Sequence, residues 1–177
     1  MTAAGLAAAL AGEYRLPVTR LITLTGSRMR NKRSQLRQFE TACPGWRFEP
    51  LDKANIDLAF GLERLWQTDP AADKAQLELV RDSFRLLAQG RLPGGILRDN
   101  HREYGYAITT PPTTEAIILV LRSLPVPAGS AAMVYRETAK LLLTGCPTLG
   151  SINLGNLGGR QEQLLRQSYC PKQTCEK

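Results

Sequence analysis

A chain of 177 residues, 43% hydrophobic and 22% charged, has the size and composition of one globular domain, with at most a small appendage. No apolar run approaches the ~20 residues needed to cross a bilayer, so membrane contact, if made, is expected to be peripheral. The net charge is +7, and its placement says more than its size, because a local excess points to a local anionic partner.

The opening stretch, Met1 to Gly12, is Ala-rich and apolar but carries no Lys or Arg ahead of its apolar part, unlike a secretory signal. It is expected to be a disordered or helical leader to a single domain over residues 13–177. Leu21 to Leu24 form a short apolar run, and Gly26-Ser27 follow. Ser27 reads as an N-cap for a helix in which Met29, Leu36 and Phe39 face inward and which ends near Cys43. Pro44-Gly45 break it. Trp46, Phe48 and Pro50 alternate with Arg47 and Glu49, the period of a half-buried strand.

Ile56, Leu58, Ala59, Leu62, Leu65 and Trp66 recur at helical spacing, with Asp52 or Asn55 as the start and Asp69-Pro70 as the stop. A second helix carries Leu77, Val80, Phe84 and Leu87 and stops near Gly90. The period then changes. Gly94 to Arg98 reads as a strand, Asp99 to Arg102 as a turn, and Tyr104 to Thr110 as the hairpin partner. Pro111-Pro112 close that strand, and the continuous apolar run from Ala116 to Leu121 suits a buried central strand. Pro125 to Pro127 lead into a helix that starts around Gly129-Ser130 and ends at Gly145 and Pro147. Leu149 to Leu154 make a last strand, and Gln161 to Gln167 a terminal helix. The order predicts a mixed α/β fold with a central sheet flanked by helices, compatible with an acyltransferase layer of the GNAT type; an unrelated α+β fold satisfies the same pattern.

Residues 14–39 hold seven basic side chains and no acidic one: Arg15, Arg20, Arg28, Arg30, Lys32, Arg33 and Arg37. The remainder of the chain is balanced, so the whole excess lies in this segment. A phosphate-bearing ligand, nucleic acid or an acidic membrane surface would suit it; a solvated helix face would look the same. A nucleic-acid domain reading bases is disfavoured, since no aromatics are interleaved for stacking. The four cysteines, Cys43, Cys146, Cys170 and Cys175, lack the paired spacing of a zinc site, and the single histidine, His101, is remote from them, which favours buried or incidental thiols in a reducing, cytoplasmic setting over a metal site or a disulfide. Gly94-Gly95 and Leu157-Gly158-Gly159-Arg160 lack the strand–loop–helix context of a nucleotide motif.

Several stretches together resemble the C-terminal domain of phosphatidylglycerol lysyltransferases. They are Leu21 to Gly26 with Arg30-Asn31-Lys32-Arg33, Trp46 to Leu51, Glu78-Leu79-Val80, Gly94 to Arg98, Glu137 with Ala139, Ile152-Asn153, and Ser168-Tyr169-Cys170-Pro171. Their order and spacing carry the likeness, since each is short and built of common residues. The resemblance implies a GNAT-like fold and transfer of an aminoacyl or acyl group to an amine or hydroxyl acceptor such as a phospholipid headgroup. Aminoacyl-tRNA or acyl-CoA would be the co-substrate, with no tightly bound cofactor. It also implies that longer relatives carry a further, related half. Departures bear on activity: after Asn153 the acidic run of the family is replaced by Leu154-Gly155-Asn156-Leu157-Gly158. The strand end Val120-Leu121-Arg122-Ser123-Leu124 keeps a cation but loses two carboxylates, and the family's helix Asn is here Tyr135. A shortened, inactive binding module is therefore the rival to a transferase.

Acyl transfer needs a nucleophile held beside an activated ester, with donors for the developing oxyanion. Tyr169 is the candidate general acid, Asn153 the candidate donor to the carbonyl, and Glu137 the candidate carboxylate, with an ion pair to its helix neighbours as the competing role. Arg28, Arg30, Lys32 and Arg33 are the candidate phosphate contacts. Arg122 and the helix start at Gly129 and Ser130 would hold a further anion, or the latter pair would simply cap. The transferase reading of Arg122, Asn153 and Tyr169 requires that they converge on one pocket; side chains on separate faces would defeat it.

Overall fold

The computed structural model describes residues 1–11, 14–67, 74–155 and 160–169. Six strands form one mixed sheet in the order β1-β6-β5-β4-β3-β2. The strands are β1 (Arg15–Pro17), β2 (Arg47–Pro50), β3 (Gly94–Arg98), β4 (Glu103–Thr109), β5 (Glu115–Ser123) and β6 (Ser151–Asn153). All neighbours are antiparallel except β5 and β6, which the helix α6 (Ser130–Gly145) joins in parallel. Such a crossover is what parallel pairing demands. Both edge strands are short and end in proline, which blunts them against further pairing.

Helices cover both faces. On one lie α2 (Val18–Thr23), α3 (Arg30–Ala42), α6 and α7 (Arg160–Tyr169), around a core that includes Leu36, Phe39, Ile118, Met133, Ile152 and Tyr169. On the other lie α1 (Ala3–Leu10), α4 (Ile56–Gln67) and α5 (Lys74–Ala88), around Leu6, Leu10, Phe84, Ile96, Tyr106 and Leu119. The sheet is thus the middle layer of an α/β sandwich, and apolar burial on both faces explains why β5 reads as an unbroken hydrophobic run.

One irregularity decides where the functional side chains point. Opposite β4, the register of β5 passes from Ile108↔Val120 to Thr109↔Ile118, so Leu119 is an extra residue on β5. Simple alternation would send Ile118, Val120 and Arg122 to one face. With the bulge, Ala116 and Ile118 face α6 while Leu119 and Val120 both face α4 and α5, and Arg122 follows Val120 onto that second face.

The expected helices, hairpin and central strand are present. Ser27 opens a 3₁₀ turn (Ser27–Met29) instead of capping α3, whose cap position is Met29 with no side-chain bond. The run Leu21–Leu24 belongs to α2 and its cap, with Leu24 left-handed at φ 50°. Arg15–Pro17, not anticipated as a strand, pairs with β6. The Ala-rich start is helical and inserts Leu6 and Leu10 into the core against β5 and α5. Asp69-Pro70, Cys170, Cys175 and the Leu157 to Gly159 stretch lie outside the described residues. Among the described residues, no helix is long and apolar enough to cross a membrane.

Candidate functional site: a cationic helix face and a buried lysine

The basic segment folds into α2, the 3₁₀ turn and α3, and there it divides into three roles. Arg28, Arg30 and Arg37 are exposed, and none forms an ion pair among the described residues. Arg30, Ser34, Arg37 and Thr41 share one exposed stripe of α3, spaced as one face of a helix requires. Glu40, the carboxylate of α3, accepts from Arg136 of α6 at 3.0 Å. The stripe is left cationic and hydrogen-bonding, with no large apolar side chain exposed on it.

Arg33 is not on that stripe. Its guanidinium donates to the carbonyls of Leu24 and of Gly26, the latter at 2.9 Å. It thereby ties down the turn after α2, where orphan carbonyls need donors. Its expected phosphate role is replaced by a structural one.

Lys32 departs further from expectation. It is only 5% exposed, and its ammonium lies 4.6 Å above the centre of the Tyr169 ring, a cation–π arrangement. No carboxylate among the described residues pairs with it, and loss of hydration pushes its pKa down from 10.5 to about 8. Tyr169 is buried at the end of α7, with the Tyr135 ring of α6 4.9 Å away. Its hydroxyl has no hydrogen-bond partner among the described residues. Burial, and then Tyr135, hold the Tyr169 phenol neutral far above the ordinary range.

Arg122 lies across the sheet from this cluster. In register with Tyr106, it donates through Nε to Glu63 Oε2 at 3.2 Å, with exposures of 7% and 0% for the pair. Tyr106 donates its hydroxyl to the same oxygen, and Trp66 stacks over the guanidinium at 5.7 Å. Glu63, unsuspected from the sequence, is legible in hindsight as a carboxylate on the inner stripe of α4 among Ala59, Leu62 and Trp66.

Asn153 sits in register with Ile117, on the α1 face, and its Oδ1 accepts from the Gly155 N–H at 3.0 Å. A centre made of Arg122, Asn153 and Tyr169 together is therefore not what this fold builds. Glu137 is held by its helix neighbours, accepting from Arg136 at 2.8 Å and Lys140 at 2.9 Å. Ser130 is buried and donates to the Pro127 carbonyl at 2.8 Å. Gly129 adopts φ 96°, and a Cβ there would lie 2.1 Å from the Gln35 carbonyl oxygen. The start of α6 is thus packed against α3, leaving Gly129 and Ser130 engaged in capping and helix contact.

A groove of about 640 Å³ opens at the other end of the sheet, beside Leu51, Lys53, Arg91, Pro93 and Pro112, away from these residues. No group of three or more metal-ligating side chains occurs among the described residues.

The mixed six-stranded sheet flanked by helices meets the fold expected from the motifs. A family model for the C-terminal region of phosphatidylglycerol lysyltransferase matches residues 4–168. The chain belongs to that family. Its fold recurs in a conserved protein of unknown function from Bacteroides thetaiotaomicron, at a TM-score of 0.74 and 19% identity over 90% of this chain and 55% of that one. It recurs in a domain described as the C-terminal domain of a lysylphosphatidylglycerol synthetase from Agrobacterium fabrum, at a TM-score of 0.54 and 19% identity over 92% and 56% of the two chains. The L-PGS of Bacillus licheniformis matches at 0.58 and 13% identity over 82% and 45%. The chain thus spans about half the length of these relatives. No curated protein matches it.

Proposed function

We propose that this phosphatidylglycerol lysyltransferase-type domain, GNAT-like in fold, transfers an aminoacyl or acyl group from a phosphate-bearing carrier to an amine or hydroxyl acceptor, with a phospholipid headgroup as the favoured acceptor. The carrier would be aminoacyl-tRNA or acyl-CoA. The observation that carries this reading is the exposed cluster of Arg28, Arg30 and Arg37, without an ion pair among the described residues, in a chain that the family model matches over residues 4–168. Guanidinium groups suit phosphate because they bind it in a fork. Direct aminolysis or alcoholysis of an activated ester needs positioning and an oxyanion donor, and no covalent enzyme intermediate. Peripheral contact at the inner membrane face would bring the acceptor within reach.

A second reading, a binding module without turnover, is favoured by one observation. Arg122 is engaged with Glu63 across the sheet from Tyr169, and Glu137 is neutralised within its helix. Incubation with labelled aminoacyl-tRNA or acyl-CoA and anionic phospholipid vesicles separates the two. Labelled product that falls when the three arginines are neutralised supports transfer. Retention of the carrier without product supports the module, and neither would sink both.

A further inference from the structure

β5 and β6 run side by side only from Glu115↔Ser151 to Ile117↔Asn153. There β6 ends, and the chain turns at Gly155 with φ 70°, so close that a Cβ would lie 2.0 Å from the Ile118 carbonyl oxygen. β5 continues to Ser123 with β4 on one side and a wedge on the other. Among the described residues, helix α7 closes that wedge with Leu165 and Arg166, which face Ile118 and Leu121 of β5 across a small cavity. Leu165 packs on the core, Arg166 is buried and Tyr169 is 1% exposed. What remains is a cavity of about 10 Å³ between Ile118, Leu121, Tyr135, Leu154, Leu165 and Arg166, room for about one water.

The filling is imperfect in its polar groups. Among the described residues, the buried Tyr169 hydroxyl has no hydrogen-bond partner, and the Lys32 ammonium, buried against the same ring, has no anion beside it. Water would solvate both as soon as α7 moved away, so the seated helix carries a penalty that the lifted one does not. The rest of α7 is polar, and Leu164 on its outer side is half exposed. An element with few apolar anchors and dissatisfied polar groups is drawn from the low-stability end of a fold.

We propose that α7 is a displaceable plug, seating Leu165 and Arg166 beside β5 and Tyr169 against Lys32 and Tyr135, and lifting as a unit, with Lys32 beneath Tyr169 setting how readily it lifts. Seated, it leaves space for about one water along that edge of β5 among the described residues. Lifted, it exposes that edge and Lys32 together, on the face of the sheet that also carries α3.

Lys32 also gives the plug a pH dependence. The groups facing it are neutral: Tyr169 from α7, with Tyr135 from α6 behind that ring. Arg166 lines the adjoining cavity, and no carboxylate among the described residues approaches. The charged amine is the form that burial disfavours, and its pKa is lowered to about 8. Below that pH the ammonium favours lifting; above it the neutral amine lets the helix stay seated.

Hydrogen–deuterium exchange on the full chain tests this without any transfer readout, so its failure is distinct from failure of the proposed activity. After correction for intrinsic rates, peptides covering residues 160–169 and 118–123 should exchange through a shared opening faster than β3 and β4. Lys32→Met should slow that opening at pH 7 by roughly ten-fold or more, with the difference narrowing above about pH 8 and closing only as pH approaches 10.5. Tyr169→Phe, which keeps the ring and removes the unpartnered hydroxyl, should slow it as well. Exchange of α7 only together with β3 and β4 would overturn the plug. So would faster exchange at pH 7 in Lys32→Met or in Tyr169→Phe, since these contacts would then be holding the helix down.

Discussion

Arg122 reads from the sequence as a phosphate contact, yet the fold makes it the partner of a fully buried carboxylate. Replacing it with Met keeps the length of the stem and its packing under Trp66 while removing the charge. Glu63 would keep the Tyr106 hydroxyl but lose the Nε bond at 3.2 Å, in a position with 0% exposure. Breaking a buried pair from one side costs about 3–5 kcal/mol, because the surviving charge stays desolvated. For a domain of this size that cost lowers the melting temperature by roughly 6–20 °C. Removing both partners, as in Glu63→Leu with Arg122→Met, should recover much of the loss, since apolar replacement of a buried pair is often near neutral. Urea denaturation of the four-member cycle measures this, and binding of a polyphosphate probe to the native proteins should be unchanged throughout. If Arg122→Met cost less than about 1 kcal/mol and weakened anion binding, the internal role of Arg122 would be wrong.

Three further outcomes follow from the same geometry. Gly129→Ala should destabilise by roughly 2 kcal/mol or more, because φ 96° disfavours a side chain and the new Cβ would meet the Gln35 carbonyl at 2.1 Å; thermal melting checks it. Neutralising Arg28, Arg30 and Arg37 together should leave the melting temperature within about 2 °C, as exposed unpaired charges contribute little. The same change should weaken binding to a phosphate polymer and flatten its salt dependence by about three counterions. Lys32→Met should be more stable than the natural protein at pH 7, by at most about 3 kcal/mol for the gap between 10.5 and about 8. The sign follows because the unfolded lysine holds its proton up to 10.5 while the folded one releases it near 8. The penalty is therefore complete below pH 8 and fades as pH rises to 10.5, which melts across that range would show.

Elements with strong punctuation were legible in the chain. Pro44-Gly45, Gly90 and Asp99-Asn100 delimit α3, α5 and the β3–β4 hairpin, and the apolar run of β5 marks the middle of the sheet. β1 was not, because three residues ending in proline give no period, and it exists only by pairing with β6. α2 is six residues long, too short to show helical spacing. In the site, the charge of residues 14–39 was legible but its division was not. Arg33 is claimed by carbonyls at the end of α2, and Lys32 by the fold of α7 over it, both tertiary facts. Arg122 changes faces through one extra residue at Leu119, and a bulge leaves no mark in a hydrophobic run.

The most direct test of the proposed transfer is a single-turnover assay. The full chain is mixed with labelled aminoacyl-tRNA or acyl-CoA and vesicles containing an anionic phospholipid, and the lipid fraction is separated and counted. Transfer predicts label in the lipid, reduced when Arg28, Arg30 and Arg37 are neutralised while the melting temperature holds. Carrier bound through those arginines, with no label leaving it for any acceptor, would contradict the transferase and leave a phosphate-binding domain.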